Sequence, residues 1–215
     1  RALFRQARRD CGVRVNVLIR PRFGDFLYSE AELEEMGEEI EAFRELGADG
    51  VVLGVLTRWG ELDRENMARL IDRAGSMDIT LHRAFDMTRD PFAALEAAVS
   101  LGCKTILTSG QAQSAAAGKE LLRELLAAAA GRIDLMAGAG VKRENILELH
   151  AHTGIRVFHT SARRGTLDSG MVYRKEGVSM GLPSLSEYEV WRTSEEEGRG
   201  CAQIVHGLSG EGAGT

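Results

Sequence analysis

The chain has 215 residues, 44% of them hydrophobic and 27% charged, with 25 glycines and 3 prolines; that is enough for a sizeable core in one large α/β domain or two small ones. A formal charge of -5 supplies no global field for nucleic acid or an anionic membrane, and no apolar run reaches the roughly 18 residues that a membrane span needs. Cys11, Cys103 and Cys201 are widely separated and in no CxxC or other metal-ligand spacing, which predicts reduced thiols in a cytoplasmic or nuclear compartment.

The chain opens on RALFRQARR. Leu3, Phe4 and Ala7 between the charges predict the last turns of an amphipathic helix rather than a nucleic-acid arm. The first residue is Arg rather than Met, so the sequence reads as a piece of something longer. Apolar runs of strand length then lie at 13–19, 50–56, 79–85, 104–108, 133–137 and 155–159. Helical segments with recognisable ends separate them. Ser29 with Glu32 makes a capping box, and Ile40, Phe43 and Leu46 continue an apolar stripe to Gly47. Asp63 can cap a helix through Met67, Leu70 and Ile71, and Asp90-Pro91 starts another that Gly102 stops. A long Ala/Leu helix is expected over 114–130, and a shorter one over Asn145–His152. This organisation predicts a single (β/α) domain over 1–183 and a partly helical or disordered tail over 184–215.

Strands separated by single helices are the mark of consecutive βα units on a parallel sheet. Two architectures compete, a (β/α) barrel and an open doubly wound sheet. The nearest dinucleotide fingerprint, Gly138-Ala139-Gly140-Val141-Lys142-Arg143, puts Arg where the third glycine belongs. The barrel is favoured because nearly every strand ends in polar or glycine-rich decoration: IRPRFGDF, GVLTRWGELD, LHRAFDM, LTSG, MAGAGV and FHTSA. In a barrel those ends meet at one mouth.

Alternation along the strands points Val15, Val17 and Ile19 outward and Asn16, Leu18 and Arg20 inward. The same rule points Thr80 and His82 inward, and puts Val157, His159 and Ser161 on one face. Arg20, His82 and His159 are thereby expected near one another, with Arg22, Asp25, Arg83 and Asp86 just beyond. His82 can serve as a general acid/base or metal ligand, or be a satisfied core histidine. Asp86 can orient His82 or Arg83, or be a plain salt-bridge partner. Arg20 and Arg22 offer planar donors for a carboxylate or phosphate, or form an internal ion network with Asp25 and Asp86. Ser109-Gly110 and Gly138-Ala139-Gly140 follow strands and precede helices, where free amides suit an anion and tight turns need glycine anyway. Without HxH or HExxH spacing, a divalent-metal site on the two histidines is disfavoured. Trp59 and Tyr173 read as packing or lid residues.

The strings IRPRFGDFLYSEAELEEM, GADGVVLGVL, LHRAFDM, ILTSG, MAGAGV and FHTSA, in this order, resemble the CutC family, and 168–181 resembles its animal version. The resemblance implies a TIM-barrel-like α/β fold, a cytoplasmic or also nuclear location, and copper homeostasis with Cu(I) as the ion handled. Two departures accompany it. Phe23 stands where the family carries a glycine, at a point where Asp25 must be placed. The family's first two strands, which bear cysteines, have no counterpart, so six strands are visible where a closed barrel has eight, and a homo-oligomer is expected to cover the exposed edges. The alternative is a barrel enzyme acting on a small anionic or phosphorylated metabolite through Arg20, His82 and Asp86; a catalytically inactive scaffold is a third reading.

Overall fold

A computed structural model describes residues 1–175, 177–178 and 186–210. The chain runs α1 (Ala2–Asp10), β1 (Asn16–Leu18), α2 (Glu30–Glu45), β2 (Gly50–Leu53), α3 (Arg64–Ala74), β3 (Asp78–Leu81), a 3₁₀ turn (Arg83–Met87), α4 (Pro91–Ser100), β4 (Thr105–Thr108), α5 (Lys119–Ala129), β5 (Asp134–Ala137), α6 (Ile146–Thr153) and β6 (Val157–Phe158). A short antiparallel pair, β7 (Leu167–Asp168) with β8 (Glu189–Val190), and α7 (Glu195–Gly210) follow. Each of the six strand runs expected from the sequence contributes a strand.

The six strands form one parallel sheet in the order β1-β2-β3-β4-β5-β6. Strictly sequential order leaves no switch point, which decides for a curled half-barrel of the TIM type over a doubly wound sheet. Among the described residues, β1 and β6 each pair on one side only.

Local chemistry explains the helix ends. Ser29 and Glu32 close a reciprocal capping box on α2, Asp63 caps α3 through the Asn66 amide, and Asp90 accepts from the Phe92 and Ala93 amides ahead of Pro91. One helix starts later than the sequence predicts: α5 begins at Lys119, not near 114. The Ala115 amide is taken by the carbonyl of Ala139, so 114–118 ties one βα loop to the next instead of starting the helix.

Alternation sorts the faces as expected. Val51, Leu53, Ile79, Leu81, Ile106 and Leu135 are buried under the helices, with Met36, Ile40, Met67 and Leu122 facing them. Each fully buried aliphatic side chain contributes about 1.5–3 kcal/mol. On the inner face Leu18 remains 60% exposed, because the sheet does not close over it. α7 belongs to the same core, through Cys201 and Leu208. The boundary expected at 183/184 lies outside the described residues.

Candidate functional site

The mouth divides into two halves. At the β1 end, the loop after β1 wraps two arginines. Arg22 donates to Glu32 at 2.5 Å, to Asp25 at 3.0 Å and to the Leu27 carbonyl at 2.7 Å, and its guanidinium lies over the Tyr28 ring. These hydrogen bonds raise the Arg22 pKa, while bonds from Ser29 and Arg22 lower that of Glu32. Arg22 and Asp25 therefore belong to an internal network, whose second acid is Glu32 rather than Asp86. Arg20 donates to the Gly24 carbonyl at 2.8 Å and covers the Phe26 ring at 4.7 Å. Phe23 is not strained by replacing glycine: Gly24 takes the left-handed conformation (φ 97°), and Phe23 projects into solvent.

His82 sits beneath this loop, 4.9 Å from the Phe26 ring and only 5% exposed. Its Nδ1 accepts the Ala84 amide at 3.2 Å, which fixes the neutral tautomer with the proton on Nε2. Nε2 is buried and has no partner, as is the Tyr28 hydroxyl. Burial, reinforced by the Arg20 charge, drives the His82 pKa from 6.5 down to about 4. At neutral pH the ring is an uncharged donor. β2 makes room for it: a Cβ on Gly54 would fall 2.7 Å from Nδ1.

Of the two partners expected for Asp86, His82 and Arg83, it takes Arg83, at 2.7 Å. Its 6%-exposed carboxylate also accepts from the Thr108 hydroxyl (2.5 Å), the Ser109 amide (3.1 Å) and hydroxyl (3.0 Å), and the Gln111 amide (3.1 Å). Asp86 thus anchors the loop after β4, and Arg83 reaches on to Ser109 Oγ at 3.1 Å. Gly110, buried in this loop, gives its amide to Thr108 Oγ1.

The second half is a cavity of about 660 Å³ between the ends of β4, β5 and β6 and the side of α7. Arg83, Lys142, Arg143, His159, Arg163 and Arg164 line it, with Glu144 and Glu197 as the acids. Gly140 and Ser161 belong to the lining, and Gly138 lies just behind, where a Cβ would strike Leu107. Sequence reasoning placed His159, Ser161, Gly138 and Gly140 at the mouth but missed the paired cations. The signal was present in Lys142-Arg143 directly after the glycine turn and in Arg163-Arg164 after β6. No hydrogen bond or ring contact joins His159 to His82. Trp59 and Tyr173 are exposed.

The CutC family model matches residues 1–164. The chain belongs to the CutC family. A CutC family protein of Parabacteroides distasonis is 50% identical over 184 residues, 85% of this chain and 75% of that one. A solved structure from Streptococcus agalactiae, named a copper homeostasis protein CutC, superposes with a TM-score of 0.71 at 31% identity, covering 74% of this chain and 79% of that one. A solved aldolase, 18% identical, shares the fold alone, with a TM-score of 0.57 over 72% of this chain and 71% of its own.

The copper named for that CutC relative is the cargo against which these residues can be tested. Cu(I) favours thiolate and thioether donors. Here Cys11 is exposed, Cys103 and Cys201 are buried and separate, and burial pushes the Cys103 thiol up to about 11. Among the described residues no group of three or more His, Cys, Asp or Glu can hold a metal ion. The described His, Cys, Asp and Glu side chains therefore make no such cluster. No described helix is long and apolar enough to cross a membrane.

Proposed function

We propose that this chain serves copper homeostasis as a CutC-type protein. Family membership carries the reading, through the 31%-identical Streptococcus agalactiae relative that bears that name. Among the described cysteines, exposed Cys11 is the thiol open to Cu(I). The test is growth on copper of cells lacking their own CutC, with and without this chain, alongside titration of Cu(I) against a competing chelator. Restored copper tolerance supports the reading; a chain that neither restores tolerance nor competes for Cu(I) refutes it.

A second reading is supported by the unpartnered Nε2–H of His82 beside Arg20: a barrel enzyme acting on a small anionic or phosphorylated metabolite. In it His82 is a neutral donor to a substrate oxygen, Arg20 borders the substrate, and Asp86 acts through Arg83. Loss of turnover in His82→Gln without loss of folding supports it, unchanged turnover removes His82 from that role, and no turnover of such metabolites by wild type sinks it.

Other parts of the assignment belong to the same proposal. The one-sided pairing of β1 and β6 supports a homo-oligomer in which a second copy covers an edge, which sedimentation tests. Unlinked cysteines fit a cytoplasmic or nuclear compartment. We read 1–183 as the barrel domain, 184–215 as its tail, and 168–181 as the animal-like segment.

A further inference from the structure

We propose that the cavity between the β5 and β6 ends and α7 binds the phosphate group of a small phosphorylated molecule, held by Lys142, Arg143 and Arg163. This deepens the second reading above and rests on it, by moving the charged end of the ligand away from Arg20 and Arg22.

Three observations converge on this site. The first is room: about 660 Å³ is in the range of small-molecule pockets. The second is uncommitted charge. Arg22 is saturated by Glu32 and Asp25, Arg83 by Asp86, and Arg164 pairs with Glu196 at 3.1 Å. Lys142 and Arg143 have no carboxylate partner among the described residues, and Arg163 rests on the Trp191 ring at 4.8 Å without one. Free guanidinium and ammonium groups on one cavity are the donors that a phosphate takes. The third is the backbone beside them. The amides of Ala139, Gly140 and Val141, all lining residues, have no acceptor among the described residues, so they are available to phosphate oxygens. α7 fixes one of the cations: Gly200 leaves the space along which the Arg143 side chain lies, where a Cβ would come within 2.9 Å of Arg143 Cδ.

Phosphate is favoured over a carboxylate because three cations and three amides exceed what one carboxylate's two oxygens accept. The two acids, Glu144 and Glu197, leave the lining net positive.

Inorganic phosphate is the probe, titrated calorimetrically into this chain at an ionic strength matched with sodium chloride. Saturable binding is expected, at least roughly tenfold weaker in Lys142→Gln/Arg143→Gln, since each charge-assisted bond contributes about a factor of ten or more. Phosphate-free melting should be unchanged in that variant. Should it melt lower, Lys142→Gln alone carries the test, because Lys142 is exposed and unpaired. No phosphate heat beyond the chloride control, or equal binding by wild type and both variants, overturns the site. Phosphate binding combined with intact turnover in His82→Gln keeps this site and discards His82 as the donor; turnover that needs His82, without phosphate binding, does the reverse.

Discussion

Replacing Asp86 by Ala should unfold the β4 end of the mouth before any other single change there. The carboxylate accepts two backbone amides, two hydroxyls and the Arg83 guanidinium while only 6% exposed. The hydroxyls have other uses. Ser109 Oγ already reaches the Ala112 carbonyl at 2.6 Å, and Thr108 Oγ1 can turn. The amides of Ser109 and Gln111 cannot, and each donor left buried without an acceptor costs about 1–3 kcal/mol. The Arg83 guanidinium, 43% exposed, is solvated when freed and adds little, so the two amides set a loss of about 2–6 kcal/mol. For a chain of this size that lowers the melting midpoint by roughly 4–24 °C. Urea unfolding followed by circular dichroism measures the loss directly. A cost below about 1 kcal/mol would show that water replaces the carboxylate in the loop, and would refute its role as anchor.

Three further outcomes follow from the same geometry. The folded-state pKa of His82, about 4 against an ordinary 6.5, means that the unfolded chain binds the extra proton between those values; stability from this group is complete above pH 6.5 and is lost as pH falls toward 4, by up to about 3 kcal/mol. Wild type should therefore lose more stability than His82→Gln between pH 7 and 4.5, and parallel losses would contradict the buried neutral ring. Gly54→Ala puts a methyl 2.7 Å from His82 Nδ1 and 2.9 Å from the Ala84 methyl, so it should cost about 1–3 kcal/mol by overpacking, read by thermal melting against an Ala substitution at open-sided Gly12. Among the thiols only exposed Cys11 should react rapidly with a disulfide reagent at pH 8, Cys103 being buried with its pKa near 11; a second fast thiol would show that the core opens there.

What could be read from the sequence was local. Helix starts were legible at Ser29, Asp63 and Asp90 because a cap and its amide lie within three residues. The order of strands was legible because each βα unit repeats the same pattern. The partners of the mouth charges were not, since folding brings them together over distance. Glu32 reads as the capping partner of Ser29, and it is one through Oε2; its Oε1 is free to take Arg22. One carboxylate serves both jobs, so a motif fully explained at short range concealed the group that removes Arg22 from ligand binding. Asp86 was equally ambiguous. It lies four residues from His82 and three from Arg83, and only the turn after β3 decides between them.

The distribution of charge pairing is itself an argument about where this fold works. Several arginines on the helices find acids: Arg69 takes Glu30, Arg73 takes Glu34 and Arg132 takes Glu96. Lys142, Arg143 and Arg163 instead share one cavity, with no carboxylate partner among the described residues. Like charges gathered on one cavity wall repel. Departures from local consistency of this kind concentrate at functional sites. Reversing it is therefore informative: Arg143→Glu should leave or raise the melting temperature by relieving repulsion, while removing phosphate binding. A variant that is both less stable and still binds phosphate would place the role of Arg143 in packing against Gly200.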